Sequence, residues 1–179
     1  MFSRITIQKS ALIAGLGQLI MTNLSFAIFP SLAATTIHIT GIAIIIILDI
    51  IVAIAFYEFF KPVNHKLSLL AAVFRIVYAV IFLIALIKMP DIDKYYYVWD
   101  RGLLVFGIHV LLIGILVIQS NYVPKWIGVL VLIASAGYII DSLGVFWGYS
   151  WQTAMFTFIG EMIFMIWIIF WGSKVQLGE

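Results

Sequence analysis

The chain has no cysteine among its 179 residues, and it has little charge, with 10 basic and 8 acidic side chains. The first absence excludes disulfides, thiolate metal sites and cysteine nucleophiles, and it leaves the redox compartment undetermined. The second excludes a broad solvated surface. Only 10% of residues are charged and 65% are hydrophobic, with a mean hydropathy of +1.20, whereas soluble domains run at about 25% charged and about 45–50% apolar. Polar intervals are short as well, and the longest, from Lys88 to Arg101, is barely long enough for a loop. The net charge of +2 is spread singly over loop ends and implies no nucleic-acid partner. What remains is one integral membrane domain over residues 1–179, with the lipid bilayer as its first partner.

Six apolar runs are long enough to cross a bilayer, at residues 11–29, 39–60, 67–87, 102–118, 126–142 and 153–171. The fold class is therefore all-α, a polytopic membrane bundle of six transmembrane helices. The first run follows Arg4 and Lys9 and precedes the SLAA of residues 31–34, which is also the outline of a cleavable signal peptide. Its length, with Gly15, Gln18, Thr22 and Ser25 at packing intervals, favours a retained helix. KPVNHK and QSNYVPK supply two tight polar turns, so neighbouring helices pack as antiparallel hairpins. On the fifth run Gly128, Val131, Ser135, Tyr138 and Ser142 share one face of small and polar groups, suited to close helix contact.

Lysines and arginines set the orientation. Arg4, Lys9, Lys61, Lys66, Lys125 and Lys174 fall on one side of the six spans, and Lys88, Lys94 and Arg101 on the other. The positive-inside rule then puts both termini in the cytoplasm, with the protein in the cytoplasmic (inner) membrane. Tyr95, Tyr96, Tyr97, Trp99, Trp147 and Trp151 are expected to mark the outer interface, and Trp126, Trp167 and Trp171 the inner one.

Four ionisable residues lie within the spans: Asp49, Arg75, His109 and Glu161. A charged group at mid-bilayer costs about 2.5–3.5 kcal/mol on insertion scales, so such groups face protein. Counting at about 1.5 Å per residue brings these four, with Gln18, to one layer roughly 12–16 Å deep. In the plainest reading Asp49 and Arg75 form a structural pair that locks two helices together. The layer nonetheless holds two carboxylates and a histidine against one arginine, which leaves groups free for ligand binding or acid–base work.

Other chemistry lacks its residues. No cofactor is expected, because only His109 among the three histidines is at mid-depth and a bis-histidine haem needs two facing imidazoles. Metal sets, HExxH, GxSxG and phosphate loops are missing, and Ser120 lies about 16 Å along the axis from His109, too far for a dyad. Glu58 reads as an interfacial partner of Lys61, and Asp141 as a cap or anchor of its own helix. The expectation is a binding protein for a small amphipathic or anionic ligand or a lipid, held by Gln18, Asp49, Arg75, His109 and Glu161. Its negative group would sit near Arg75 and its tail among Phe74, Phe82, Phe106 and Phe158. The alternatives are an intramembrane enzyme using His109 and Glu161 as acid and base, and a structural subunit that pairs with itself or with another membrane protein.

The blocks LDIIVAIAFYEFFKPVNHKLSLLAAVFRIVYAVI, GIHVLLIGILVIQSNYVPKWIGVLVLIASAGYIIDSL and GEMIFMIWIIFWG carry a family likeness. Its most specific parts are Phe74 with Arg75, the run of Ser120, Pro124 and Gly128 with Lys125 after the proline, Gly137 to Ser142, and Gly160 with Glu161. Over about Asp49 to Gly172 the chain resembles the bacterial domain-of-unknown-function 4386 family of small multi-pass membrane proteins. The resemblance implies the same span count and puts Asp49, Arg75, His109 and Glu161 in the family's motif blocks; it implies no activity.

Reporter fusions in the Lys61–Lys66 turn and near Asp91–Lys94 are expected to report opposite sides of the membrane, the first cytoplasmic. Both reporters on one side would overturn the orientation.

Overall fold

The computed structural model describes residues 2–29 and 35–175, with side chains from residue 7 onward. The SLAA segment, the Arg4 side chain and the last four residues lie outside that description. The elements are α1 (Phe2–Ile28), α2 (Thr36–Phe60), α3 (His65–Lys88), α4 (Ile92–Gln119), α5 (Lys125–Phe146), α6 (Thr153–Thr157) and α7 (Ile159–Phe170), followed by a 3₁₀ turn at Gly172–Lys174. The described residues are all helix and connection. Six spans are long and apolar enough to cross a membrane, α6 and α7 together forming the sixth. The protein is an integral membrane protein.

Helices begin where the sequence supplies caps. The Asn64 side chain accepts from Leu67 N at 3.1 Å to start α3, and Asp91 accepts from Lys94 N at 3.2 Å to start α4. The second cap corrects a sequence expectation. The stretch from Lys88 to Arg101 is not mainly loop, because α4 starts at Ile92 with Asp91 as its cap and Asp93 in its first turn. Hydrogen bonding from the Lys94 side chain also holds the Asp91 carboxyl below the usual carboxylate range. Tyr95, expected at the interface, is fully buried against Phe82 and Trp99, since that early start turns it into the bundle. α1 likewise starts nine residues before the expected run of 11–29, at Phe2.

Packing follows sequence order: α1 on α2, α2 on α3, α3 on α4, α4 on α5, and α5 on α6 and α7; α7 then returns to α1. The six spans close into a ring with Ile42, Val52, Phe56, Leu116, Val131, Phe164 and Ile168 inside. Outward positions such as Ile47, Ile54, Val80 and Leu83 are exposed and apolar, as lipid requires. On α5 the small-residue face meets α4, where Ser135 Oγ donates to the Gly107 carbonyl at 2.9 Å and Ser142 Oγ to the Arg101 carbonyl at 3.3 Å. At the turn end Ser68 Oγ donates to the Tyr57 carbonyl and Tyr122 OH to the Phe59 carbonyl, both at 2.8 Å. The first bond closes the α2–α3 hairpin and the second ties it to the α4–α5 hairpin. Glu58 pairs with Lys61 at 3.7 Å, partly exposed, as the sequence suggested.

The sixth span is broken at Phe158, between α6 and α7. Asp141 does not cap its own helix. Its carboxylate accepts from Thr153 N at 2.8 Å and Ala154 N at 2.7 Å, and so starts α6 across the connection. Glycines bring α5 against both pieces. A Cβ on Gly137 would strike Thr157 Oγ1 and the Ala154 Cα, and one on Gly160 would strike the Leu130 carbonyl.

Gly160→Ala is expected to lower stability by about 1–3 kcal/mol, because the rigid Leu130 backbone cannot move aside. Gly17→Ala, which meets one Val52 methyl group, is expected to cost less. Thermal unfolding of the purified protein in detergent checks the order; equal effects would show that the backbone contact is not limiting.

Candidate functional site

The polar groups of the layer come from different helices, and local sequence explains how Arg75 reaches the others. On α3 the buried face runs Ser68, Ala71, Ala72, Arg75, Tyr78, Ala79 and Phe82, so small residues flank the arginine and let α2 and α4 approach. Arg75 Nε donates to Asp49 Oδ1 at 3.0 Å, and Nη2 lies 2.9 Å from the same oxygen. Nη1 is 3.1 Å from His109 Nε2, and His109 Nδ1 is 2.8 Å from the Ala71 carbonyl oxygen. A guanidinium only donates and a carbonyl only accepts, so Nε2 is the acceptor and Nδ1 carries the proton. The imidazole is thereby neutral and held in one tautomer.

Phe56 and Phe106 flank the guanidinium at 5.9 and 5.5 Å from their ring centres, a cation–π contribution of about 0.5–2 kcal/mol each. The arginine is 2% exposed, Asp49 3% and His109 1%. This cluster is a desolvated ion pair completed by a histidine and two aromatic faces.

A second constellation shares His109. Gln18 of α1, Phe56 of α2, His109, Val110 and Ile113 of α4, Val131 of α5, and Glu161 and Phe164 of α7 line one void at the middle of the ring. The void has about 10 Å³ for the centre of a water molecule, and one buried water needs about 10–15 Å³ on that measure. Gln18 Oε1 and Glu161 Oε1 are buried without a hydrogen-bond partner, and their residues both line the void. Glu161 stands in the first turn of α7, just past the break at Phe158, where the positive end of the helix dipole favours a carboxylate. Tyr138 of α5 lies beside it.

The five residues named from the sequence thus fall into two overlapping groups: Asp49, Arg75 and His109 in a hydrogen-bonded cluster, and Gln18, His109 and Glu161 around the void. Arg75 and Asp49 do not line the void. Neither do Phe74, Phe82, Phe106 and Phe158, the expected wall for a ligand tail; Phe56 and Phe164 take that place. Phe82 instead stacks with Tyr78 and Trp99, and Phe158 meets Phe26 at the break. Sequence reasoning passed over Phe56 because nothing sets it apart from Phe59 and Phe60, the other phenylalanines at that end of α2. Ser120 is a C-cap whose hydroxyl donates to the Val117 carbonyl at 2.8 Å, outside both groups. Among the described residues no group of three or more His, Asp and Glu side chains is placed to hold a metal ion.

The family model "Domain of unknown function (DUF4386)" matches residues 25–92 and 91–172. The chain is also 46% identical over 156 residues to an archaeal protein of Archaeoglobus fulgidus named "Uncharacterized protein", covering 87% of this chain and 96% of that one. The likeness thus reaches beyond bacteria. No solved structure matches the chain significantly. The chain belongs to the DUF4386 family.

Removing one charge of the buried pair strands the other. Arg75→Met is therefore expected to destabilise by on the order of 3–5 kcal/mol, and Asp49→Leu similarly. The double variant is expected to recover most of that loss, short by about 1–3 kcal/mol for the His109 acceptor left without its donor. Unfolding in detergent measures the cycle, and a double variant no better than either single one would refute the coupling.

Proposed function

We propose that this member of the DUF4386 family binds a small polar solute at the centre of its helix ring. The observation that carries the reading is that two buried, unpartnered oxygens, Gln18 Oε1 and Glu161 Oε1, belong to residues from the first and last spans that line one void. An unsatisfied buried acceptor costs about 1–3 kcal/mol, so a ligand that donates to both gains on binding. The open groups are acceptors, which favours a hydrogen-bond donor over the anion suggested by Arg75 alone, because the guanidinium is already engaged by Asp49 and His109. The same engagement weakens the case for an intramembrane enzyme, since both His109 nitrogens are committed and neither is free to take or give a proton. The lysine bias supports a cytoplasmic membrane location with both termini inside.

Native mass spectrometry of gently extracted protein, with released small molecules identified, tests the reading. The expected result is a hydroxyl- or amine-bearing species on the wild type that is lost from the Gln18→Leu, Glu161→Leu double variant. Wild type and variant carrying the same bulk lipid and nothing else would sink it, as would a ligand retained by the double variant.

A further inference from the structure

The charges of the central layer balance only if Glu161 is neutralised. Asp49 and Arg75 cancel in their 2.9 Å ion pair. His109 adds none, because its nitrogens accept from Arg75 and donate to Ala71. Ion pairs among the described residues are Glu58 with Lys61, Asp49 with Arg75 and Asp91 with Lys94, and none includes Glu161. The polar groups around Glu161 on the surrounding helices are Gln18 of α1 and His109 of α4, which line the same void, and Tyr138 of α5, with the Asp49–Arg75 pair of α2 and α3 reached only through His109. With Glu161 ionised, that set carries one net negative charge in an apolar interior. Such a charge is met by a proton or by a bound cation.

The void beside the carboxyl discriminates among cations. It admits one water-sized group. The unpartnered polar atoms of its lining residues are Gln18 Oε1 and Glu161 Oε1, and its other lining residues are apolar apart from the engaged His109, with Phe56 and Phe164 stacked 5.8 Å apart. A hard metal cation takes about six oxygen ligands, more than this wall offers. An ammonium nitrogen fits better on every count: it is the size of water, it directs N–H donors at both oxygens, and aromatic faces attract its remaining charge.

From this we infer that the void is a site for a single ammonium ion, taken up in exchange for the proton of Glu161. The inference rests on the reading of the void as a ligand site. The exchange balances: the Glu161 carboxylic acid loses its proton to water, and the carboxylate that remains holds the ammonium group in its place. No covalent bond to carbon changes, and the layer is neutral with either occupant. Gln18 then acts as the second anchor, and His109, held neutral by Arg75 and Ala71, as part of the wall that does not itself exchange charge.

The test uses the full chain in detergent, in weakly buffered solution with a pH-indicating dye. Ammonium chloride is compared with tetramethylammonium chloride, which has no N–H donor and does not fit. The expected result is release of one proton per chain by ammonium and none by tetramethylammonium, with the release abolished in Glu161→Gln. In Gln18→Leu the ammonium concentration for half-release is expected to rise about tenfold, for the loss of one charge-assisted hydrogen bond. Thermal stabilisation of the wild type by ammonium but not by tetramethylammonium is a further expectation that needs no variant. Equal release by both salts, or release that persists in Glu161→Gln, overturns the inference. Ammonium-specific stabilisation without proton release overturns the exchange and leaves solute binding standing. A co-purifying solute with no response to ammonium overturns the ligand class alone, and neither solute nor response overturns both readings.

Discussion

The guanidinium of Arg75, buried among apolar helices, is the group that the arrangement of the bundle has to satisfy. Left alone at that depth it would cost several kcal/mol, and the two neighbouring helices, α2 and α4, supply what it needs. Asp49 provides the counter-charge, His109 an acceptor, and Phe56 and Phe106 the faces. The requirement propagates outward. Because His109 must accept at Nε2, its Nδ1–H needs an acceptor of its own, and the Ala71 carbonyl one turn before Arg75 on α3 supplies it. The histidine is therefore clamped between two positions of the same helix, which fixes the depth of α4 against α3.

Much of this was legible in the sequence because a membrane interior makes polar residues conspicuous. Asp49, Arg75, His109 and Glu161 stand out in apolar runs, and the 1.5 Å rise of a helix brought them to one level before any contact was known. The span count followed from run length for the same reason. Which polar group met which was less visible. Depth alone gives no azimuth, so it could not separate the cluster around Arg75 from the void around Gln18 and Glu161. The void's aromatic wall was hidden as well, since Phe56 is one of three phenylalanines in the last five residues of α2 and nothing in the sequence says which of them turns to the centre. Helix ends were misjudged where a charged cap lay inside a polar stretch: Asp91 starts α4 well before hydrophobicity takes over, and Asp141 caps a helix other than its own.

The break in the sixth span links packing to chemistry. Gly137 and Gly160 bring α5 against α6 and α7 on either side of Phe158. That close approach sets where α7 begins, and Glu161 is in its first turn. Here the break puts a carboxyl at a helix start, turned toward Gln18 of the span with which α7 closes the ring.

Ring closure has a consequence for biogenesis. A membrane chain is delivered to the bilayer from its N-terminus, so α2 and α3 can enter as a hairpin in which Asp49 meets Arg75 only 26 residues later. That hairpin carries its two mid-membrane charges as a neutral pair, and His109 joins it with the next span. Gln18 arrives with the first helix and faces Glu161 only when the last has been inserted. Truncation before α7 thus yields an assembly whose charge lock is already made and whose central void is still open on one side. Translation of the final span is the step that closes the ring, when α7 returns to α1.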